Sequence, residues 1–340
     1  MTRFVLICSS IFIVVLLVIP SVVTVFLSKD GTAKAWRGQA GQVQLQKNDT
    51  ASDTANIVIP VYRTGSKQID KVPLEEYVRG VVASEMPHDF ELEALKAQAM
   101  AARTYIIRRM VERDFSDTPR GSYVTDSVNH QVYQSEAELR ERWGRAYERN
   151  ISKINQAVNE TMGQVLTYKG RPIDATFFST SNGYTENAED YWGTDIPYLK
   201  SVESPWDADS PRYEQQMSMS VEEFQQKLGV ELTAPVSNDQ PFYEVISHTA
   251  GHRVGEVQVG GKTFSGREVR ELLDLPSADF QWHIRDGQVV IQLYGYGHGV
   301  GMSQWGANGM AKAGRSAEEI VRYYYQDIDI QDYRQWVVRK

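Results

Sequence analysis

Glu85 stands in the setting that best suits proton chemistry. It occurs in Ser84-Glu85-Met86-Pro87, four residues after Val81 and three after Val82. A helix over Leu74 to Ser84 carries Leu74, Tyr77, Val78, Val81 and Val82 on one stripe, and Glu85 extends that stripe. A carboxyl held against apolar surface keeps its proton to higher pH, as a general acid near neutrality must. The pattern also allows a plain helix end pointing to water, because Pro87 stops the helix there.

Two cations follow. Lys96 and Arg103 are seven residues apart on one face of an alanine-rich helix running from about Leu92 to Arg113. They can position an anionic or polar substrate, hold a nearby carboxylate, or simply face solvent. A third segment, Phe177 to Thr185, packs Ser179, Thr180, Ser181, Asn182 and three aromatics into one loop after a strand. Hydroxyls beside aromatic faces suit a sugar polymer, although Asn182-Gly183 is also an ordinary turn. A fourth, Gly295 to Gly306, presents His298 and Gln304 from a glycine-rich backbone.

Sharper motifs are excluded. The fourth segment is neither a dinucleotide fingerprint nor a phosphate loop, and Trp305 breaks the nucleophile-elbow pattern around Ser303. His248 and His252 lack the intervening glutamate of a zinc-protease helix. No metal and no cofactor are expected. The single cysteine, Cys8, rules out internal disulfides. A net charge of -8 argues against nucleic-acid binding.

The elements that must position these residues read as α+β, because helices and strands come in blocks. A strand is expected at Ile57 to Tyr62, a helical stretch at Glu136 to Glu160, and strands at Gly163 to Tyr168 and Ile173 to Phe178. Capping signals open helices at Ser220 with Glu223 and at Ser316 with Glu319, the latter expected to be the last helix. Short antiparallel strands fill Tyr243–Ser247, Arg253–Val259, Phe280–Ile284 and Val289–Tyr294.

Residues 4–27 carry no charge, and as a helix they would span about 36 Å, enough for a hydrocarbon core of about 30 Å. Arg3 precedes them, so residues 1–3 are expected in the cytoplasm and the remainder outside. The length favours an anchor over a cleaved signal peptide. Residues 28–56 read as a flexible linker and 57–340 as one catalytic ectodomain.

Three stretches taken together resemble one family: Val72 to Pro87 continuing into Glu93 to Tyr105, Phe178 to Gly183, and Gly297 to Ala307. They resemble the stage II sporulation protein D family, membrane-anchored lytic transglycosylases related to amidase enhancers. The resemblance implies that Glu85 is the catalytic acid/base, and that Lys96, Arg103, Ser179, Thr180, Ser181, His298 and Gln304 position a glycan. The implied substrate is peptidoglycan whose stem peptides have been removed. Cleavage between N-acetylmuramic acid and N-acetylglucosamine would leave 1,6-anhydromuramic ends. The implied setting is the mother-cell membrane facing the septal wall, during engulfment in endospore formation. The implied partners are the stage II sporulation protein P amidase and the membrane protein stage II sporulation protein M. Two other readings stay open: a non-catalytic activator of an amidase, and a two-carboxylate hydrolase with Asp126, Glu186 or Asp190 as the second acid. Some family members carry a Cys/His zinc site before the Gln-Val-Tyr that is Gln131-Val132-Tyr133 here. Residues 125–130 offer only His130.

Overall fold

Alternate burial along Val58–Arg63 (β1) turns Ile59 and Val61 into the core, as a half-buried strand requires. The structure, a computed structural model, describes residues 57–232 and 242–337. The expected anchor and linker lie outside the described residues. Among the described residues, no helix is long and apolar enough to cross a membrane.

Strand β1 pairs antiparallel with Gln68–Pro73 (β2), which runs directly into the helix Leu74–Glu85 (α1). The stripe of α1 is buried as its spacing predicts. The helix ends because Met86, preceding Pro87, is extended. The next helix, Leu92–Glu112 (α2), is buried on most sides: Ala94, Ala97, Ala99, Ala101 and Ala102 all lie in the core. Small side chains let its neighbours approach closely. Val124–Thr125 (β3) joins β1 in parallel.

The helical stretch expected at Glu136 to Glu160 is two helices, Glu136–Trp143 (α3) and Tyr147–Glu160 (α4). Gly144, at φ 50°, breaks the run, and a short 3-10 turn re-aims it. Gln164–Tyr168 (β4) pairs with Arg171–Pro172 (β5). The strand expected at Ile173 to Phe178 shrinks to Phe177–Phe178 (β6). Ala188–Trp192 (α5) and a 3-10 turn at Pro205–Asp209 follow.

A second core then forms from residues between Met219 and Leu293. It contains Glu214–Ser220 (β7), Val221–Leu228 (α6), Tyr243–His248 (β8), Val254–Val259 (β9), Lys262–Ser265 (β10), Gly266–Leu272 (α7), Phe280–Arg285 (β11) and Gln288–Tyr294 (β12). Two antiparallel sheets, β10-β9-β8 and β11-β12-β7, pack around Phe224 and Trp282. The chain returns to the first core through Met302–Ser303 (β13), Gln304–Lys312 (α8), Ala317–Tyr324 (α9) and Asp329–Asp332 (β14). A helical turn, Arg334–Val337 (α10), comes after α9, so the expected last helix is not the last. The architecture is mixed α and β, but not wholly antiparallel: β13 also pairs with β6 in parallel.

Candidate active site

Glu85 closes α1, and its surroundings are built by a close approach one turn earlier. At Gly80 a Cβ would lie 2.4 Å from Tyr133 Cε2 and 2.5 Å from the Gln134 carbonyl oxygen. Only glycine lets the segment 131–134 cross the helix there. Tyr77 fixes that segment, donating its hydroxyl to Gln131 Oε1 at 3.0 Å and stacking on Tyr133. The Val132 N–H thereby reaches Glu85 Oε1 at 2.7 Å. Burial pushes the Glu85 carboxyl above the usual glutamate range, and the Val132 bond only partly opposes it. The proton therefore stays on longer than in water.

Glu85 lines a groove of about 690 Å³. The lining also includes Phe177 and Ser179 at and just after β6, Tyr296 and His298 of the glycine-rich loop, and Gln304 and Trp305 of α8. A smaller cavity of about 210 Å³, lined by Tyr105, His130, Gln131 and Thr176, lies on another side; Glu85, Phe177 and His298 belong to both.

His298 is held by backbone at both nitrogens. Val300 N–H donates to Nδ1 at 3.0 Å, so the ring proton is on Nε2, which donates to the Phe177 carbonyl at 3.1 Å. Gly297 and Gly299, both at positive φ, allow this presentation. Phe178, Tyr191 and Trp192 surround the ring at 5.7–5.8 Å. Burial, with the nearby Arg270 charge, pushes the imidazole pKa down to about 4, so His298 is neutral at ordinary pH. The ring lines the groove with its one N–H committed to the Phe177 carbonyl. Gln304 is 5 % exposed, and its Nε2 is buried with no partner among the described residues. Such an orphan donor costs about 1–3 kcal/mol unless a ligand satisfies it.

Of the loop residues expected in the site, only Ser179 lines the groove. Thr180 and Ser181 are buried beneath it. Thr180 Oγ1 meets Ser210 Oγ, and Ser181 donates its N–H and hydroxyl to the two Asp207 oxygens at 2.8 and 2.9 Å. Ser303, which caps α8, donates to the same carboxylate. Asp207 thus ties the Ser179 loop to the start of α8, where Gln304 sits. Nothing local in Ser204-Pro205-Trp206-Asp207 marks that role, because its partners come from remote segments.

Lys96 and Arg103, expected to position substrate, are not among the residues lining the groove. Arg103 is wholly buried: it pairs with Glu75 at 2.7 Å and donates to the Gln164 carbonyl at 3.1 Å. Lys96 pairs with Glu93 and Glu160. The second carboxylates considered from sequence are also elsewhere. Asp126 pairs with Arg63 at 3.0 Å, Glu186 accepts from the Gly251 N–H at 3.0 Å, and Asp190 accepts from Asn187. The acid that does share the groove with Glu85 is Asp89, which is exposed.

The residues present do not fit the zinc site of some family members. His130 meets Thr125 Oγ1 through Nδ1 at 2.8 Å and faces Asp117 through Nε2 at 3.2 Å, with no thiol nearby in sequence. Among the described residues, no three His, Cys, Asp or Glu side chains group as a metal site.

Fold and site together define an α+β groove protein with a shielded, proton-holding carboxyl on the groove wall. The chain belongs to the stage II sporulation protein D family. Stage II sporulation protein D of Bacillus subtilis (strain 168) is 52 % identical over 276 residues, covering 81 % of this chain and 79 % of that one. The protein of the same name from Bacillus amyloliquefaciens is also 52 % identical over 276 residues. The family model for stage II sporulation proteins matches residues 62–168, which include Glu85 and Val132. A more distant relative, the amidase enhancer of Bacillus subtilis (strain 168), is 27 % identical over 310 residues, 75 % of this chain and 40 % of that protein.

Proposed function

We propose that this sporulation protein is a lytic transglycosylase that cuts peptide-stripped peptidoglycan between N-acetylmuramic acid and N-acetylglucosamine. The observation that carries the reading is Glu85: a shielded carboxyl inclined to hold its proton, on the wall of a groove of about 690 Å³ lined by aromatic and amide side chains. Protonated Glu85 donates to the glycosidic oxygen as the muramic C1–O bond breaks. The resulting carboxylate takes the proton of the muramic C6 hydroxyl, and O6 bonds to C1. One carboxyl does both transfers because no water is added. Ser179, the Gln304 amide and the aromatic faces hold the sugar rings. No cofactor takes part.

In the cell this reading puts the chain at the septal wall during engulfment, anchored by residues 4–27. It would act with the stage II sporulation protein P amidase and the membrane protein stage II sporulation protein M. The likeness to an amidase enhancer supports a second reading, a glycan-binding activator without chemistry of its own.

Mass spectrometry of amidase-stripped glycan treated with the purified chain, with Glu85→Gln in parallel, separates these. Anhydromuramic ends from the wild type and none from the variant are expected. Reducing ends would mean hydrolysis. No cleavage by either, with amidase stimulation intact in both, would leave the activator reading.

A further inference from the structure

The groove that holds Glu85 also carries three guanidinium groups: Arg142, Arg212 and Arg270. None of the three has a carboxylate partner within ion-pair distance among the described residues, in a chain whose net charge is -8. Each is nonetheless held. Arg212 lies over the Tyr296 ring at 4.2 Å. Arg142 lies over Trp143 at 5.8 Å and donates to Gln134 Oε1 at 2.9 Å. Arg270 donates to Tyr191 Oη at 2.8 Å and to the Leu275 carbonyl at 3.2 Å. Against these charges the groove sets only Asp89 and Glu85, and Glu85 tends to stay protonated. Unpaired arginines held by aromatic and carbonyl contacts are suited to fork onto a carboxylate.

We infer that Arg142, Arg212 and Arg270 form a carboxylate-reading rim that recognises the lactyl carboxylate of stripped muramic acid. The inference rests on the transglycosylase reading and deepens it. While a stem peptide is attached, the lactyl carbonyl is a neutral amide. Hydrolysis of that amide frees the amine of the peptide and leaves a carboxylate on the sugar. That charge exists only after the stem is gone, on the same ring whose C1 faces Glu85.

The test measures binding of the full chain carrying Glu85→Gln, so that nothing is cut. Three glycans are compared: stripped strands, stripped strands whose lactyl carboxylates have been converted to primary amides, and strands still bearing stem peptides. Stripped strands should bind at least about tenfold tighter than either of the others. Arg212→Gln and Arg270→Gln should each narrow that gap, and Arg212, being exposed, can change without harm to the fold. Equal affinity for the free and amidated strands overturns the inference. So does equal affinity for stem-bearing strands, which would mean that the rim reads the peptide's own carboxylates. Cleavage products of the wild-type chain are read separately. Anhydro ends formed equally from free and amidated strands would leave the transglycosylase reading standing and sink the rim. A binding preference with no cleavage would do the reverse.

Discussion

The Val132 N–H donates to Glu85 Oε1 across 2.7 Å, joining residues 47 positions apart. Glutamine keeps the oxygen that accepts this bond. Glu85→Gln should therefore fold as the wild type does while losing roughly 10²- to 10⁴-fold in cleavage rate, the usual worth of a positioned acid. It should also be slightly more stable at neutral pH in urea unfolding. A carboxyl whose folded pKa is raised favours folding below its unfolded value and loses that contribution as pH rises through the folded one, whereas the amide never ionises.

The same raised proton affinity sets the alkaline limb of activity. On the transglycosylase reading Glu85 starts protonated, so the rate should fall as pH rises through a value above the ordinary glutamate range. Gly80→Ala forces the 131–134 segment off α1 and lengthens the Val132 bond. Losing the Val132 bond raises the proton affinity of the carboxyl and losing the segment's cover lowers it, so in that variant the limb should move, with some loss of stability. A pH–rate profile in which wild type and Gly80→Ala coincide would show that the Val132 bond does not set this limb.

His298 should titrate only near pH 4. Its folded pKa lies below the unfolded value of about 6.5, so the unfolded chain binds the extra proton first. Stability attributable to this ring is present above about pH 6.5 and drains away as pH falls towards 4. Ring chemical shifts in NMR report the protonation directly, and His298→Asn should flatten that part of the acid unfolding curve. A ring that charges near pH 6.5 in the folded protein would contradict the neutral tautomer assigned from Val300 and Phe177.

Arg103 and Glu75 form a buried pair, and removing one partner strands the other. Arg103→Met should cost about 3–5 kcal/mol in urea unfolding. The fraction that stays folded at low temperature should bind and cut stripped glycan like the wild type. A loss of glycan affinity in the folded fraction would instead return Arg103 to the substrate.

What could be read from residue order follows the range of the interactions. The stripe of α1 is local, so a 3.6-residue period shows both the helix and the inward place of Glu85. The same rule misleads at Lys96 and Arg103. Their common face is real, but α2 is enclosed by neighbours, and a shared face says nothing about which neighbour it meets. The capping box of Ser265 with Glu268 was present and opens α7, yet glycine at its first position hid the helix. Asp207 and the three groove arginines had no local mark. Each gains its place from segments the fold alone brings together.

Part of the groove lining, Tyr296 to Trp305, comes from late in the chain, and that late part is joined to the early one by small bonds. Asn308 of α8 accepts from the Glu91 N–H at 2.8 Å, and the Ala317 N–H donates to Glu93 Oε2 at 2.8 Å. A ribosome releasing this protein in order thus makes the acid early and its cleft last. A prematurely terminated or clipped product lacking residues beyond 303 carries Glu85 but has neither Gln304 nor Trp305 to hold a strand against it. On the transglycosylase reading, such shortened molecules should show no cleavage of stripped glycan.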